Sequence, residues 1–521
     1  MAISSSRVRL AACALLAAAC TTASQANPPS AASAAATPSG GLTADQDRTR
    51  LMKLLGMESM RRGAAGSDTA SPYYANYHEE KANPYPTLPD PLLTQARERV
   101  TTPEQWWSVR RPEIVELMDR EVYGRVPKDV PAVTWQVKST TDTMFGEVPV
   151  IRKDLVGRAD NSAYPALTVE ILASVTTPKN ARGKVPVMLI FSGGGFGAPT
   201  AASGGTTTPA ACTPPPNPNA PAGRAGGAVG GRTGAPPAGA AGAGGRAGGP
   251  PAAGAAGGRA GGPPGGGRGG QQGPSWQAQA LSRGWGFASL NTGSVQRDNG
   301  CGLTAGIIGL ANKGQPRAVD GWGVLRAWAW GASRVLDYFE TDPNVDAKRV
   351  GLEGHSRWGK ATIVAMAYDP RFSIAYVSSS GAGGAKLNRR NWGELVENVA
   401  ATSEYHWMAG NYMKYAGPLT WDDMPVDAHE LIAMAAPRPV FISGGATQGD
   451  GWVDAKGMFM AAAGAQPVYA LLGRKTMGTD VFPPIEKGLM DGDIAFRQHA
   501  GGHTDQPNWT TFLAFADRYW K

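Results

Sequence analysis

The stretch from Val350 to Lys360, VGLEGHSRWGK, predicts a short apolar strand that breaks at Gly354 and runs directly into a helix over Arg357–Tyr368. A serine at such a break, here Ser356, stands on a sharp strand-to-helix turn, with its hydroxyl exposed beside the N–H groups of a helix N-terminus. That is the geometry a nucleophilic serine needs. The usual elbow is G-x-S-x-G, whereas here the second glycine comes one place later and gives G-x-S-x-x-G.

The rest of the chain predicts an α/β fold. Three β-rich runs at 132–138, 148–155 and 166–173 have alternating polarity and indicate an antiparallel edge. Further along, apolar strands alternate with helices, which is typical of a parallel sheet covered by helices on both sides. The predicted strands of that sheet lie at 185–191, 286–291, near 350, at 374–378, 439–443 and 494–498.

The amino end predicts export. Two arginines, an apolar run over 10–19 and a stretch of small residues make residues 1–26 a secretory signal that ends at Ala26. Alternatively, Leu16–Cys20 resembles a bacterial lipoprotein cleavage site, so that the signal ends at residue 19 and Cys20 carries a lipid anchor. The apolar run is too short to span a bilayer. We expect a periplasmic, outer-membrane-anchored or secreted protein.

The domain organisation follows from composition. Residues 27–89 are predicted to be a spacer and an N-terminal arm, and 90–521 the catalytic domain. Within that domain, 198–274 is almost wholly Gly, Ala, Pro and Thr with a few Arg. Too few large apolar side chains are present there to offset chain entropy, so we expect a disordered insert. A tolerated loop expansion is a simpler interpretation than a loop that threads the cell wall.

The net charge of +8 gives no reason to expect a nucleic-acid partner. Two of the arginines lie in the signal region and five in the insert, so the remainder is nearly neutral. Apart from the signal region, the chain has Cys212 and Cys301, which either pair in an oxidising compartment or stay free thiols. No cysteine cluster suggests a metal site, and we expect no cofactor.

A serine nucleophile needs a base and a group that orients the base. In a doubly wound hydrolase the chain order is Ser, acid, His, each on a loop after a strand. His503 follows the predicted strand 494–498 and is the best-placed of the six histidines. Asp450, on the loop after strand 439–443, is the first choice for the acid. Asp454 is the alternative, although its place just before a predicted helix suits a helix cap better.

Oxyanion donors are also needed. The backbone N–H of Arg357 is one by position, and its forked, permanently charged guanidinium is a second candidate. The glycines at 193–195 are the alternative source of donors. Lys360 lies one helical turn from Ser356 on the same face, which favours an anionic or hydroxyl-rich substrate over a lipid.

These motifs resemble those of the glucuronoyl esterases of carbohydrate esterase family 15, an α/β-hydrolase family. The stretch GHSRWGK at 354–360 is similar to the family's G-C/H-S-R-x-G-K signature. The resemblance runs from about Trp106 to Trp520 apart from the insert, and is closest to bacterial members. Further matching stretches are EVYGRVP at 121–127, DGWG from 320, AWAWG at 327–331, TDPNVDAKR at 341–349, SGAGG at 380–384, PVDAH at 425–429 and APRP at 436–439.

The resemblance implies a three-layer α/β-hydrolase sandwich that cleaves the ester between a (4-O-methyl-)glucuronate on xylan and a lignin alcohol. It implies Ser356 as nucleophile, His503 as base and Arg357 as oxyanion stabiliser. It also implies that Lys360 and Glu394 bind the uronate hydroxyls, and that Trp452, in a D-x-W motif, lines the sugar site.

One position departs from the family pattern. Many members carry a catalytic Glu directly before the Ser-Gly-x-Gly-Gly run, and that place is Ser379 here. A serine cannot neutralise an imidazolium, so the acid is expected at the D-x-W position, which is Asp450. Two alternative functions remain: an esterase of acetylated or feruloylated xylan, and a carbohydrate-binding relative without catalysis.

Overall fold

The computed structural model describes residues 42–66, 68–193 and 274–520, which all belong to one compact unit. The predicted signal at 1–26 and the predicted insert at 198–274, except Pro274, lie outside these residues, as do Cys20 and Cys212. Cys301 carries no disulfide to any described residue, so the two alternatives, pairing with Cys212 and two free thiols, both stay predictions.

A mixed sheet is the centre of the described residues. Its strands are β1 Val133–Phe145, β2 Val148–Ala159, β3 Glu170–Pro178, β4 Val185–Ser192, β5 Gly286–Asn291, β6 Val345–His355, β7 Ile374–Ser378, β8 Val440–Gly445 and β9 Ile494–His499. They lie side by side in the order β1-β2-β3-β5-β4-β6-β7-β8-β9. The pairs from β1 to β3, and β3 with β5, are antiparallel; all pairs from β5 onward are parallel. The predicted antiparallel edge on a parallel sheet is thus confirmed.

The parallel and the antiparallel half of the sheet differ in how deeply their strands are buried. Strand β7 is buried at every position and β4 at all but its last, as expected for parallel strands covered on both faces. Strand β1 is exposed along most of its length because it is the edge strand. The core side chains form two clusters, one on each face, which makes the three-layer sandwich.

Helices of very different length connect the strands. The α-helices are α1 Ala44–Leu54, α2 Pro103–Gln105, α3 Arg111–Met118, α4 Trp276–Ser282, α5 Thr292–Val295, α6 Gly306–Ala311, α7 Val324–Thr341, α8 Arg357–Tyr368, α9 Val396–Val399, α10 Ala428–Ala435, α11 Thr447–Asp450, α12 Ala455–Leu471 and α13 Trp509–Ala516. Helices α7, α8, α10 and α12 contribute to the larger cluster and α4 and α13 to the smaller one. Trp276 and Trp509 stack there with ring centres 4.2 Å apart, which joins α4 to α13.

Tighter and wider turns fill the remaining helical segments. Wider π-type turns flank α3 at Trp106–Arg110 and Asp119–Tyr123, and 3-10 turns lie at Glu79–Lys81, Gly300–Thr304, Tyr405–Trp407, Gly410–Ala416, Trp421–Asp423, Gly451–Val453 and Gln506–Asn508. None of the helices in the described ranges is long and apolar enough to cross a membrane.

One predicted strand is displaced along the chain. The run 166–173 was expected to be extended, whereas β3 begins at Glu170. The preceding residues form turns instead: the Tyr164 amide donates to the Asn161 carbonyl, and the Asn161 side chain donates to the Leu167 carbonyl at 3.0 Å. An asparagine that bonds nearby backbone competes with strand pairing.

Residues 61–66 and 68–81, here called the arm, contain no strand or long helix and pack against the segment between β7 and β8. Arg61 forms an ion pair with Glu397 at 2.9 Å, and the Asn76 side chain donates to the Asn391 carbonyl at 2.7 Å. These contacts join the arm to α9 and to the loop before it, both of which follow β7.

Candidate active site

Ser356 occupies the turn between β6 and α8 in a strained conformation. Its φ of 60° and ψ of −127° are rare for a residue with a side chain. Such backbone costs about 1–3 kcal/mol and persists only where its surroundings enforce it. Here the Ser356 amide donates to the Ser378 carbonyl of β7 at 2.9 Å, and the Ser356 carbonyl accepts from the Lys360 amide. The turn is therefore held from the sheet and from the helix.

Two glycines explain the pattern G-x-S-x-x-G. A Cβ at Gly354 would lie 2.3 Å from the Trp358 carbonyl oxygen, and one at Gly359 would lie 2.6 Å from the Ser378 carbonyl oxygen. Gly359, which stands one place later than the second glycine of the usual motif, thus lets α8 approach β7 closely. The position of the usual glycine is taken by Trp358, whose indole N–H donates to the Thr292 hydroxyl at 3.2 Å.

The structure brings His503 and Asp450 together. Nδ1 of His503 lies 2.6 Å from Oδ1 of Asp450, whose side chain is 1% exposed. A carboxylate only accepts, so Nδ1 of the imidazole carries the proton and Nε2 is left as the basic nitrogen. The other carboxylate oxygen accepts from the Gly445 amide at 2.8 Å and from the Ser379 hydroxyl at 2.5 Å. Ser379, at the position where the family pattern led us to look for an acid, therefore contacts the carboxylate that reaches the histidine.

Asp454 has a different environment. Its side chain accepts from the Gly457 amide at 2.9 Å and caps α12, and it forms a buried ion pair with Arg390 at 2.8 Å. The cap that was expected from its sequence position is present, and Asp450 is the aspartate that reaches His503.

His355 packs beside the catalytic candidate. Its ring centre is 4.3 Å from that of His503, and its Nδ1 shares a hydrogen bond with the Ser378 hydroxyl at 3.0 Å. Burial, reinforced by the neighbouring His503, lowers the pKa of His355 to about 4. The ring of His355 is therefore neutral at ordinary pH and places no positive charge beside His503.

Arg357 is held by an acidic partner that the sequence did not single out. Its guanidinium forms an ion pair with Asp298, from the loop after α5, and lies 5.3 Å from the Trp407 ring. Asp298 also accepts from the Trp407 indole at 2.6 Å and from Nε2 of His406 at 2.9 Å. Burial alone would raise the pKa of Asp298, but these donors and the arginine charge outweigh burial and lower it.

Lys360 and Glu394 form a buried ion pair. Nζ of Lys360 lies 2.8 Å from Oε2 of Glu394 and donates to the Ala382 carbonyl at 2.6 Å. The Ala382 amide donates to the same glutamate oxygen at 2.9 Å. The loop with Glu394 is also joined to Trp452, whose carbonyl accepts from the Glu394 amide at 2.9 Å. Lys360 on α8 is thus connected through Glu394 to the turn that carries Trp452.

Glu404 is a further acidic side chain that the sequence analysis missed. Its Oε2 is buried and has no hydrogen-bond partner. Burial, together with the charge of Glu394, raises the pKa of Glu404 to about 8, although Lys360 and Arg357 act in the opposite direction. The available signal was the run Glu-Tyr-His-Trp at 404–407, which places an acid beside the His406 and Trp407 that bind Asp298.

Two further cavities lack the residues of a serine hydrolase. One of about 710 Å³ is lined by Lys184, Glu340, Asp346, Ala347, Lys348 and Arg371, with no serine or histidine among them. The other, of about 480 Å³, lies near the start of β4 and β5, at the opposite end of these strands, and none of its lining residues is Ser, His, Asp or Glu. In the part of the chain that is described, no three His, Cys, Asp or Glu side chains are arranged to hold a metal ion.

Comparison with known proteins identifies close relatives. The family described as "Glucuronyl esterase, fungi" matches residues 318–473. A solved structure of a CE15 glucuronoyl esterase from Teredinibacter turnerae superposes with a TM-score of 0.74 at 37% identity, over 92% of this chain and all of that one. The carbohydrate esterase MZ0003 from an unknown prokaryote is 29% identical over 86% of this chain and 93% of its own length. A 4-O-methyl-glucuronoyl methylesterase of Wolfiporia cocos is 32% identical, over 29% of this chain and 38% of its own.

Proposed function

The chain belongs to carbohydrate esterase family 15, the glucuronoyl esterases, and from this membership we propose that it hydrolyses the ester between the 4-O-methyl-glucuronate of glucuronoxylan and a lignin alcohol. The observation that carries the proposal is the 2.6 Å hydrogen bond between His503 and Asp450. It lies at the carboxyl ends of the parallel strands, where Ser356 occupies its strained turn. A strained serine, an oriented histidine and a buried carboxylate are the parts of a serine esterase.

In the proposed mechanism, Oγ of Ser356 attacks the carbonyl carbon of the uronate ester while Nε2 of His503 takes the hydroxyl proton. The bond to the alcohol oxygen then breaks, and His503 returns the proton to the departing alcohol. Water, deprotonated by the same imidazole, attacks the uronoyl–Ser356 ester; the bond to Oγ of Ser356 breaks, His503 returns the proton to that oxygen, and the free acid is released. Asp450 keeps the imidazole in the required tautomer and stabilises its charged form.

Arg357 is the proposed oxyanion stabiliser. Its backbone N–H lies in the first turn of α8. Its guanidinium has five N–H donors, and only one of its three nitrogens, Nη1, contacts Asp298 in the ion pair. Donors that are fixed before the reaction stabilise charge that develops in the transition state. The Asp298 carboxylate supports this role because it restricts where the guanidinium can lie.

Lys360, Glu394 and Trp452 are the proposed uronate contacts. The lysine and the glutamate are paired and almost fully buried, so they offer a fixed donor and a fixed acceptor to neighbouring hydroxyl groups. The Trp452 indole offers a flat apolar surface for the sugar ring. This chemistry fits a polyhydroxylated ring better than an acetyl or feruloyl group.

The test compares wild type and Ser356→Ala on benzyl glucuronate, an acetyl ester and a feruloyl ester. We expect serine-dependent cleavage with the uronate ester preferred, and weak residual turnover in Asp450→Ala because donors and binding survive the loss of an orienting group. Preference for acetyl or feruloyl esters would support the second candidate activity. Equal activity of wild type and Ser356→Ala would overturn the mechanism.

The non-catalytic alternative is disfavoured. A separation above about 5 Å between Asp450 and His503 would have exceeded hydrogen-bond reach, whereas the two atoms lie 2.6 Å apart. No cleavage of any ester by the folded protein would restore this alternative.

For localisation we propose export through residues 1–26, with lipidation of Cys20 as the alternative. The support is the order of arginines, apolar run and small residues. Mass spectrometry of the mature amino terminus decides between them: a chain that begins at Asn27 indicates cleavage after Ala26, and a lipid-modified Cys20 indicates an anchor. A chain retained in the cytoplasm with Met1 would contradict both.

A further inference from the structure

The arm is attached to the loop that carries Glu394. Arg61 pairs with Glu397 at 2.9 Å, and its guanidinium also donates to the Leu419 carbonyl. The Ala64 amide donates to the Asn398 side chain at 3.1 Å, and the same side chain donates to the Ala64 carbonyl at 2.9 Å. The arm therefore fixes the segment that begins a few residues after Glu394.

The arm then reaches the loop that carries Trp452. A Cβ at Gly66 would lie 2.7 Å from two ring atoms of Trp452, so the backbone there lies directly on the indole. The Tyr77 hydroxyl donates to the Gly66 carbonyl at 3.4 Å, and the Tyr77 ring lies beside Gly451. The two loops proposed to bind the uronate are thus bridged by one segment.

The same segment carries a group of aromatic rings. The Tyr77 ring meets the Trp392 and Tyr74 rings edge-on, each with ring centres 5.7 Å apart. Tyr73 is 47% exposed and Tyr74 is 41% exposed, and the Arg62 guanidinium lies over the Tyr73 ring at 4.7 Å. We call Tyr73, Tyr74, Tyr77 and Trp392 the aromatic platform.

Contiguous exposed apolar patches, unlike single exposed rings, mark interaction sites. Here the exposed Tyr73 and Tyr74 are neighbours in the chain, and the Tyr74 ring contacts the Tyr77 ring. We propose that the aromatic platform binds the polysaccharide backbone that carries the esterified uronate, as an extension of the sugar wall made by Trp452. This inference rests on the proposed function, because the platform is useful only if a polymer-linked uronate occupies the site.

The position and chemistry of the platform favour the polysaccharide over the lignin alcohol. It continues from Trp452, whose backbone carbonyl accepts from the Glu394 amide, and Glu394 is paired with Lys360 where the sugar hydroxyls are proposed to bind. Tyrosine and tryptophan combine an apolar face with a polar edge and suit sugar rings. Arg62 adds a permanent positive charge that attracts a polymer bearing uronate carboxylates.

A second contact on the same polymer strengthens binding without changing the chemical step, because the second binding event becomes intramolecular. Loss of the platform should therefore change the ratio of kcat/KM on polymer to kcat/KM on a small ester. Each lost ring contact is expected to lower that ratio about two- to tenfold.

The experiment uses the full chain as wild type, the double variant Tyr73→Ala/Tyr74→Ala, and the control Trp107→Ala. Trp107 is 45% exposed and lies against Arg111, which contacts the carboxyl end of α8, whereas Ser356 lies at its amino end. Substrates are benzyl glucuronate and a glucuronoxylan–lignin ester fraction of high molecular mass. Melting temperatures verify that all three proteins are folded.

The expected result is a polymer-to-small-ester ratio about tenfold lower in the tyrosine variant and unchanged in Trp107→Ala. An unchanged ratio in the tyrosine variant would overturn the proposal. The proposal would also be overturned if the activity lost in the tyrosine variant depended on the size of the alcohol esterified to a single uronate and not on the length of the xylan. That result would indicate that the tyrosines contact lignin.

A binding measurement separates this proposal from the esterase proposal. Ser356→Ala, with and without Tyr73→Ala/Tyr74→Ala, is run through native gels that contain unesterified glucuronoxylan. Retardation that depends on the tyrosines supports the platform even if no ester is cleaved by the wild type. Equal migration of both proteins would contradict the platform even if esterase activity is found.

Discussion

At the scale of single residues, the site depends on carboxylates with different tasks. Asp450 is surrounded by three donors: the imidazole of His503, the Ser379 hydroxyl and the Gly445 amide. Asp298 gathers a guanidinium, an indole and an imidazole. Glu404 has a buried oxygen without any donor. Burial raises the pKa of Glu404, whereas the donors around Asp298 outweigh burial and lower the pKa of that carboxyl.

Asp298→Asn is expected to lower kcat on benzyl glucuronate about tenfold with little change in KM. The asparagine amide can still accept from Trp407 but lacks the charge that holds Arg357. Deleting an oxyanion donor lowers kcat about a hundredfold or more, and displacing the donor should lower kcat by less. Steady-state kinetics measure kcat and KM separately. Asp337→Asn is the matched control, because it also pairs with an arginine but lies away from the site. A rise in KM alone would contradict the positioning role.

Glu404 gives a prediction for stability against pH. Its pKa is raised from 4.5 to about 8 in the folded state, so the folded protein holds the proton more tightly than the unfolded chain. The resulting contribution to stability is fully present below about pH 4.5 and is lost as the pH rises to about 8.

Glu404→Gln keeps the shape and removes the titration. Relative to this variant, wild type should become progressively less stable between these pH values in thermal melts. Parallel curves for the two proteins would show that the carboxyl group is not buried in solution.

At the scale of elements, the contact of α8 with β7 holds the serine turn in place. Gly359→Ala would put a methyl group 2.6 Å from the Ser378 carbonyl oxygen, which is also the acceptor for the Ser356 amide. We expect a lower melting temperature and at least a tenfold loss of kcat, since small displacements of a nucleophile are costly. Gly293→Ala is the matched control, because the nearest atom to its new methyl group is 3.4 Å away. Equal effects of the two substitutions would contradict this account.

The elements were predictable where burial dictates the pattern. Strands β4, β5 and β7 are continuous apolar runs between turn residues, and the structure has them within one residue of the predicted bounds. Strand β3 was misplaced because hydrogen bonds of Asn161 hold the preceding residues in turns, which a polarity pattern does not reveal. Asp298 was missed because its partners His406 and Trp407 lie 108 and 109 positions away, with no motif around either.

At the scale of the whole molecule, the insert at 198–274 separates two adjacent strands of one sheet, β4 and β5. Its replacement by a linker of about ten residues is expected to leave esterase kinetics unchanged. Each halving of loop length lowers the entropic cost of closing the loop by about 0.6 kcal/mol. A loop about eight times shorter should therefore increase the free energy of unfolding by about 2 kcal/mol. Denaturant unfolding measures this. A marked loss of stability or activity would show that the insert takes part in the fold or in the site.

The arm also sets an order of events in time. Arg61 and its partner Glu397 are 336 positions apart in the chain, and Trp452 follows later still. A ribosome makes the arm first, and a secretion channel that passes the amino end first would deliver it first as well. Tyr74 and Tyr77 both belong to the arm and are made together, whereas Trp392 and Trp452 come only with the carboxyl half, and contacts so distant along the chain form slowly. The proposed sugar wall is therefore begun early in synthesis and completed late.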